Sequence, residues 1–395
     1  MTRRLFRRLT ILAATAAVAS SAFTPALAAE PVAAVAMETV FNEPADNGDR
    51  DHRIEARLVR LVDGAPAGSE INFSVYTWTR TPVAEAVKRA QARGVRVRIA
   101  IDGGADDDPA NEPTKILKGA NLTKLVFCGP GGDNTACIAN RGKPHSINHD
   151  KLWMFSETEG RKDVVAVASH NLTHSQGNLF NHAIIMSGDA DLYGYYHQHM
   201  DRMLGQRKNN DYFNSGGYHK SPDSLVTSYL SPRADSSGGT SEEFATDTYA
   251  QLLKYITKAE PGCSLDIAQA NIADSRTVVV DQIVRIARLG CQVRIVYDAM
   301  GPDNLAKLKG KPNIALKRYL DNDADNIDGR KVSIHSKYMS YRGHYNETPG
   351  RSIVFSGSHN LSGAALRTND EIQQWIRRQF REDLEPGQVH PSEAR

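Results

Sequence analysis

The chain has 395 residues, 40% hydrophobic and 24% charged, a balance ordinary for a globular protein that excludes a disordered chain. Its length suits two domains or one large one. The formal charge is only +2, which argues against a dedicated nucleic-acid binder with a broad basic footprint while leaving room for a local basic groove.

Residues 1–28 read as a signal peptide. The basic stretch Thr2-Arg3-Arg4-Leu5-Phe6-Arg7-Arg8 precedes an apolar run from Leu9 to Ala22, and Ala26-Leu27-Ala28 fits a small-residue cleavage site before Ala29. The run is too short for a comfortable membrane span. Arg3-Arg4 followed by Leu5-Phe6 resembles a twin-arginine export signal, although ordinary secretory signals carry arginine clusters too. Loss of Arg3, Arg4, Arg7 and Arg8 takes the formal charge from +2 to −2. A secreted protein is expected, with no later apolar run reaching the roughly 18 residues of a span.

The first predicted strand, Ile71–Tyr76, is followed by a helical pattern from Pro82 to Arg93, a stop at Gly94 and a second strand ending at Asp102. Strand, helix and strand in that order make a βαβ unit with parallel strands. Asp106-Asp107-Asp108 lacks ordered calcium-ligand spacing and reads as a solvated acidic loop. Cys128 and Cys137 bracket a glycine-rich loop that a disulfide would close. Then comes Ile147-Asn148-His149-Asp150-Lys151, and further on Ala168-Ser169-His170-Asn171. Tyr193, Tyr195, Tyr196 and His197 belong to a helix-like stretch. Residues 205–222 interrupt the periodic structure, and Ala234–Thr240 is a second flexible stretch.

The second half repeats the first. A strand at Ser264–Ala268, a helix from Ser275 to Leu289, a stop at Gly290 and a strand ending at Asp298 follow in the same order. Cys263 and Cys291 start the two strand-like runs and form the second expected disulfide. Ser333-Ile334-His335-Ser336-Lys337 then parallels the first His-x-Lys, and Gly357-Ser358-His359-Asn360 parallels Ser169-His170-Asn171. The intervals are similar: 20 residues from His149 to Ser169 and 23 from His335 to Ser358. The expected division is therefore 29–215 and 216–395, two homologous α/β halves.

Alternate residues of a strand share a face. His149 with Lys151, and His335 with Lys337, are thus expected to point together, as are Ser169 with Asn171 and Ser358 with Asn360 if each pair ends a strand. Two such sets facing each other make a cavity of cations and donors that suits a tetrahedral phosphate. One neutral imidazole can attack phosphorus and the other can supply the leaving group with a proton. The lysines and amides stabilise charge on the non-bridging oxygens, so no metal or other cofactor is required by this scheme. His170 and His359 alternate away from the Ser/Asn face and read as structural or rim residues. Core packing is the default for Trp78, Trp153 and Trp375. Asp102 and Asp298 end central strands, where ligands gather or turns are capped.

These segments resemble the phospholipase D superfamily, whose mark is His-x-Lys followed by Gly-Ser-x-Asn in each half. The resemblance runs from about Asp51 to Trp375. It implies two α/β/α-sandwich halves with one active site between them. It also implies ping-pong cleavage or transfer of a phosphodiester, usually without metal. In this pattern His149 is the nucleophile and His335 the acid/base, with Lys151 and Lys337 beside them and Ser169, Asn171, Ser358 and Asn360 on the phosphate. Three departures are visible. Ala168 replaces the glycine, and Ser156 and Arg342 stand where the family has aspartate five residues after the lysine. The later Asn-x-Glu is present as Asn369-Asp370-Glu371, whereas Asn181-His182-Ala183 lacks the acid. Glu371 is expected to orient His335. That would favour His335 as nucleophile, against the family habit, so the roles of the two histidines stay open. Three functions remain in play: an exported phosphodiesterase acting on phospholipid head groups with transient membrane-surface contact, a secreted metal-independent nuclease, and a non-catalytic phosphate-ligand binding protein. Two halves in one chain make a monomer sufficient for the site.

Overall fold

The computed structural model describes residues 35–44, 50–106, 108–130, 132–141, 145–222, 225–234, 243–319 and 332–378. The signal peptide expected at 1–28, Asp107 and the loop residues 235–240 lie outside them.

Local sequence accounts for the helices. In Thr81–Ala92, Pro82 presets the first turn, and Val83, Ala84, Ala86, Val87 and Ala90 form one buried face. Gly94 takes φ +90° and ends the run. Thr277–Arg288 repeats this, burying Val279, Val280, Ile283, Val284, Ile286 and Ala287 before Gly290 at φ +108°.

The strands build two large sheets. The first has seven, in the order Ala36–Phe41, His182–Ser187, Arg161–Ala168, Lys151–Thr158, Glu70–Val75, Arg96–Ile101 and Lys124–Phe127. The second has eight: Tyr218–Lys220, Val226–Ser231, Glu371–Arg378, Thr348–Gly357, Lys337–Tyr345, Ser264–Ile272, Gln292–Met300 and Ile314–Arg318. Leaving aside Ala36–Phe41 in one and the first two strands in the other, the order is the same. The register repeats too: Val75 lies opposite Lys151, and Gln269 lies opposite Lys337. The chain passes from one sheet to the other between Leu204 and Tyr218.

Period-2 patterning puts each sheet between two cores. Trp153 and Phe155 face the helices Arg53–Asp63 and Thr81–Ala92, with Phe73 and Trp78. Leu152 and Met154 face the other way, into a core shared with the helix Ala190–Leu204 and with Ile372, Ile376, Val226 and Leu230 of the second sheet. Tyr196, on that helix, is part of the shared core. The second sheet packs Leu265, Ile267, Met339 and Phe355 against Thr248–Leu253 and Thr277–Arg288. The fold is thus two homologous α/β sandwiches sharing an apolar seam. Trp375 is partly buried against the last of these cores.

Cys128 is bonded to Cys137 and Cys263 to Cys291, with Cα–Cα separations of 4.6 and 4.7 Å. No helix among the described residues is long and apolar enough to cross a membrane.

Candidate active site

The strands stop short of the histidines. Strand pairing begins at Lys151 and Lys337, and the expected strands through Ser169–Asn171 and Ser358–Asn360 end at Ala168 and Gly357. The reason lies in where the backbone groups go. The His149 N–H donates to the Asp370 carbonyl at 2.9 Å, and the Asp370 N–H to the Ile147 carbonyl at 3.0 Å. In the other half, Ser333–Ile334 pairs in parallel with Leu179–Phe180, and the His335 N–H donates to the Phe180 carbonyl at 3.0 Å. Each histidine is therefore anchored to a short bridge from the opposite half.

The side chains cross in the same way. His149 Nδ1 lies 2.7 Å from Glu371 Oε1, and His335 Nδ1 lies 2.9 Å from Asn181 Oδ1. Glu371 therefore holds His149, not His335 as the sequence suggests, because its bridge lies beside the other half's histidine. Asn181, not Ala183, is the counterpart of Glu371. The Ser169 hydroxyl donates to Asn181 Oδ1 at 2.9 Å and accepts from the His182 N–H at 3.0 Å. The Ser358 hydroxyl donates to Glu371 Oε2 at 2.5 Å and accepts from the Ile372 N–H at 3.0 Å. Both serines are fully buried and spend their hydrogen bonds on these holders, not on an open phosphate cavity. Gly357 is required before Ser358, since a Cβ there would sit 2.1 Å from the Ile372 carbonyl oxygen.

Lys151 and Lys337 are fully buried, and each donates to the carbonyl of its own histidine, at 2.7 and 2.8 Å. Each ammonium keeps further N–H donors. The amide oxygens of Asn171 and Asn360 have no partner among the described residues. These four side chains, the amides through their N–H donors, and the Nε2 atoms of His149 and His335 can meet a ligand.

Electrostatics ties the two sets together. Burial holds the His149 imidazole well below its usual range, and the charges of Lys151, Lys337 and His335 add to the effect. Burial, Lys337 and Lys151 do the same to His335. Burial lowers Lys151 to about 8 against the opposing pull of Glu371, and burial with Lys151 lowers Lys337 well below the usual range. Burial raises the Glu371 carboxyl to about 8, with Lys151 opposing. An anion between the lysines would relieve all the cationic shifts at once.

Sequence reasoning misses several contributors. Asp102, just past Arg96–Ile101, accepts the Asn148 N–H at 2.7 Å and so fixes the approach to His149. Burial raises its carboxyl to about 6. Tyr76 meets the His149 ring edge-on at 5.1 Å, and Lys151 lies 5.3 Å from the Tyr76 ring centre. Asp150 is paired with His199 at 2.8 Å, both fully buried. The strand-end position of Asp102 was a usable signal; nothing in the sequence marks the Asp150–His199 pair. His170 and His359 are buried, and their ring nitrogens have no hydrogen-bond partner among the described residues, which makes them interior and not rim residues. Burial drives His170 down to about 3. Ser156, in place of the family aspartate, accepts the Glu70 N–H at 2.8 Å. No cluster of three or more His, Cys, Asp or Glu among the described residues is arranged to hold a metal ion.

Two duplicated sandwiches with crosswise-held histidines and buried lysines define a phosphodiesterase-type architecture. Residues 63–204 and 252–384 each match the family described as cardiolipin synthase, PLD-like domain. The chain belongs to the phospholipase D superfamily, whose members hydrolyse or transfer phosphodiesters. Its fold is similar to that of the polyphosphate kinase from Porphyromonas gingivalis, with a TM-score of 0.51 and 13% identity. That match covers 89% of this chain and 48% of the kinase, so the chain spans about half the kinase's length. Yeast tyrosyl-DNA phosphodiesterase matches with a TM-score of 0.44 and 11% identity, over 86% of this chain and 89% of its own. Nuc from Salmonella typhimurium, a phospholipase D family member, matches with a TM-score of 0.33 and 16% identity, over 44% of this chain and 95% of its own. No curated protein matches the chain.

Proposed function

We propose that this protein is an exported phosphodiesterase of phospholipase D type that hydrolyses or transfers phospholipid head groups through a phosphohistidine on His149. The observation that carries the choice of nucleophile is the 2.7 Å contact between His149 Nδ1 and Glu371. In its ionised form Glu371 accepts the Nδ1–H, leaves Nε2 as the free lone pair and stabilises the positive ring formed on attack, and that developing charge, with Lys151, draws Glu371 into the ionised form. His335, held by the neutral amide of Asn181, takes the acid/base role.

In the first step His149 Nε2 forms a bond to phosphorus, the bond to the head-group oxygen breaks, and His335 gives that oxygen its proton. In the second, His335 removes a proton from water or an acceptor alcohol, whose oxygen attacks phosphorus as the P–N bond breaks. Lys151, Lys337, Asn171 and Asn360 bind the non-bridging oxygens, and Ser169 and Ser358 steady Asn181 and Glu371 instead of touching phosphate. The negative phosphate raises His335 into the protonated form that the first step needs. Residues 29–215 and 216–395 are our division into halves, following a signal peptide at 1–28.

Two disulfides suit an oxidising compartment, and a formal charge of −2 after loss of the four leader arginines supports a lipid in preference to a nucleic acid. The test is a substrate panel in EDTA: phosphatidylcholine vesicles, sphingomyelin, bis(p-nitrophenyl) phosphate and plasmid DNA. Released choline, lost in His149→Ala, is the expected result. Cleavage of DNA alone would replace the lipid reading with a nuclease, and no turnover of any diester would leave a binding protein.

A further inference from the structure

We propose that Asp370 is a positioning residue for the His149–Glu371 pair, and that the Cys128–Cys137 disulfide acts on the reaction through it. The inference rests on the reading of His149 as nucleophile.

Asp370 is fully buried, and its carboxylate accepts three consecutive backbone N–H groups. Cys137 donates at 2.7 Å, Ile138 at 3.0 and 3.3 Å, and Ala139 at 2.7 Å. Its own peptide groups are bonded to Ile147 and His149, at 3.0 and 2.9 Å. The next residue is Glu371, whose carboxylate lies on the His149 ring. Residue 370 is thus fastened to the first half on three sides, and both ends of the catalytic contact hang from it. A carboxylate in a nest of backbone donors is a stiff joint.

The repeat shows that this joint is not needed to build the bridge. The counterpart of Asp370 in the first half is Phe180. Its carbonyl accepts the His335 N–H at 3.0 Å in the same way, but its side chain is an apolar ring packed on Tyr319, 5.2 Å between centroids. The acid occurs only on the side of the proposed nucleophile.

The loop that grips Asp370 is itself tied down. Cys137 is bonded to Cys128, which follows the strand Lys124–Phe127, and Cys137, Ile138 and Ala139 are fully buried. The Ala136 carbonyl accepts from Lys208 Nζ at 2.5 Å, and the Ile138 carbonyl from the Asn209 N–H at 2.9 Å. The bond from Cys263 to Cys291 provides an internal comparison: it joins the starts of Ser264–Ile272 and Gln292–Met300, whereas Lys337 pairs near the other end of the first of these strands, at Gln269.

The experiment compares the full-length protein with Asp370→Asn, the double variant Cys128→Ala/Cys137→Ala and the double variant Cys263→Ala/Cys291→Ala. Bis(p-nitrophenyl) phosphate is the substrate, and Tm is recorded for each. Small displacements of a reacting group cost up to about a hundredfold. Asp370→Asn and the Cys128/Cys137 variant are expected to lower kcat about ten- to a hundredfold with KM within about twofold, and combining them should add less than about twofold. The Cys263/Cys291 variant should lower Tm and leave kcat within about twofold. A second readout needs no turnover: with 15N-histidine labelling, the low-field Nδ1–H signal of His149 in wild type should be lost in the first two variants and kept in the third. Unchanged kcat and an unchanged His149 signal in Asp370→Asn would overturn the proposal, as would equal kcat losses in the two cysteine variants. If Asp370→Asn does not fold, the Cys128/Cys137 variant decides by the same readouts. A wild type that turns over no diester removes the proposed function, and the His149 signal then decides the positioning role alone.

Discussion

Asn181 stands in the first half where Glu371 stands in the second. Each accepts a hydrogen bond from the serine of its own half and each holds the histidine of the other half. One is a neutral amide and the other an acid, so two nearly symmetric imidazoles are made unequal. That inequality divides their work in the proposed mechanism.

The division predicts different phenotypes for the two histidine variants. His149→Ala removes the nucleophile and should abolish both turnover and the base-stable phosphohistidine trapped by an alkaline denaturing quench. His335→Ala removes the proton donor of the first step and the base of the second, the former worth about 10²–10⁴-fold with a poor leaving group. It should retain most of the first step with a p-nitrophenolate leaving group. Burst kinetics on the two substrates would reveal the split, and equal losses on both would contradict it.

Glu371→Gln should cost activity and improve stability at high pH. The folded pKa of Glu371 is raised to about 8 by burial. A raised acid pKa means that the folded state holds a proton the unfolded chain has lost, so its stability falls as pH climbs from about 4.3 to about 8. Glutamine has no such dependence. The Tm of the variant relative to wild type should therefore rise between pH 5 and pH 9, while kcat drops. A difference independent of pH would show that Glu371 stays ionised throughout.

Lys151 gives a prediction at the alkaline end. Burial lowers it to about 8, so its ammonium is present below that pH and lost above it. Phosphate binding should weaken as pH passes about 8, seen as KM rising in wild type. In Lys151→Met, KM should already be high at pH 7 and nearly flat.

The Asp150–His199 pair is expected to matter for stability. Both side chains are fully buried and 2.8 Å apart. Breaking such a pair from one side leaves an uncompensated buried group and typically costs about 3–5 kcal/mol. His199→Ala should show a loss of that order in urea unfolding, and Asp150→Asn on that background should recover part of it.

The helices stopped by Gly94 and Gly290, the strands after them and the two disulfides are all legible in sequence, because each is a local signal. The paired His-x-Lys and Ser-x-Asn motifs likewise mark the right neighbourhood. Which acid serves which histidine is not legible. Glu371 and His149 are 222 positions apart, and the parallel bridge that joins them is too short to leave a periodic trace. Matching Asn369-Asp370-Glu371 to Asn181-His182-Ala183 also misleads. Asn181 lies 12 residues after Ser169 and Glu371 lies 13 after Ser358, so the true counterparts are offset. The serines are misread for a related reason: a hydroxyl beside a phosphate and one clasping a carboxylate look alike in a string of letters.

The exchange of Asn181 and Glu371 across the seam governs how this molecule can be divided. A lobe produced alone would own an imidazole whose clasp is on the missing fragment. Two such fragments would have to recombine before either acquired chemistry. Their histories are coupled as well, since drift in one lobe's clasp is felt by its neighbour's ring, and any compensating change must arise on the far side.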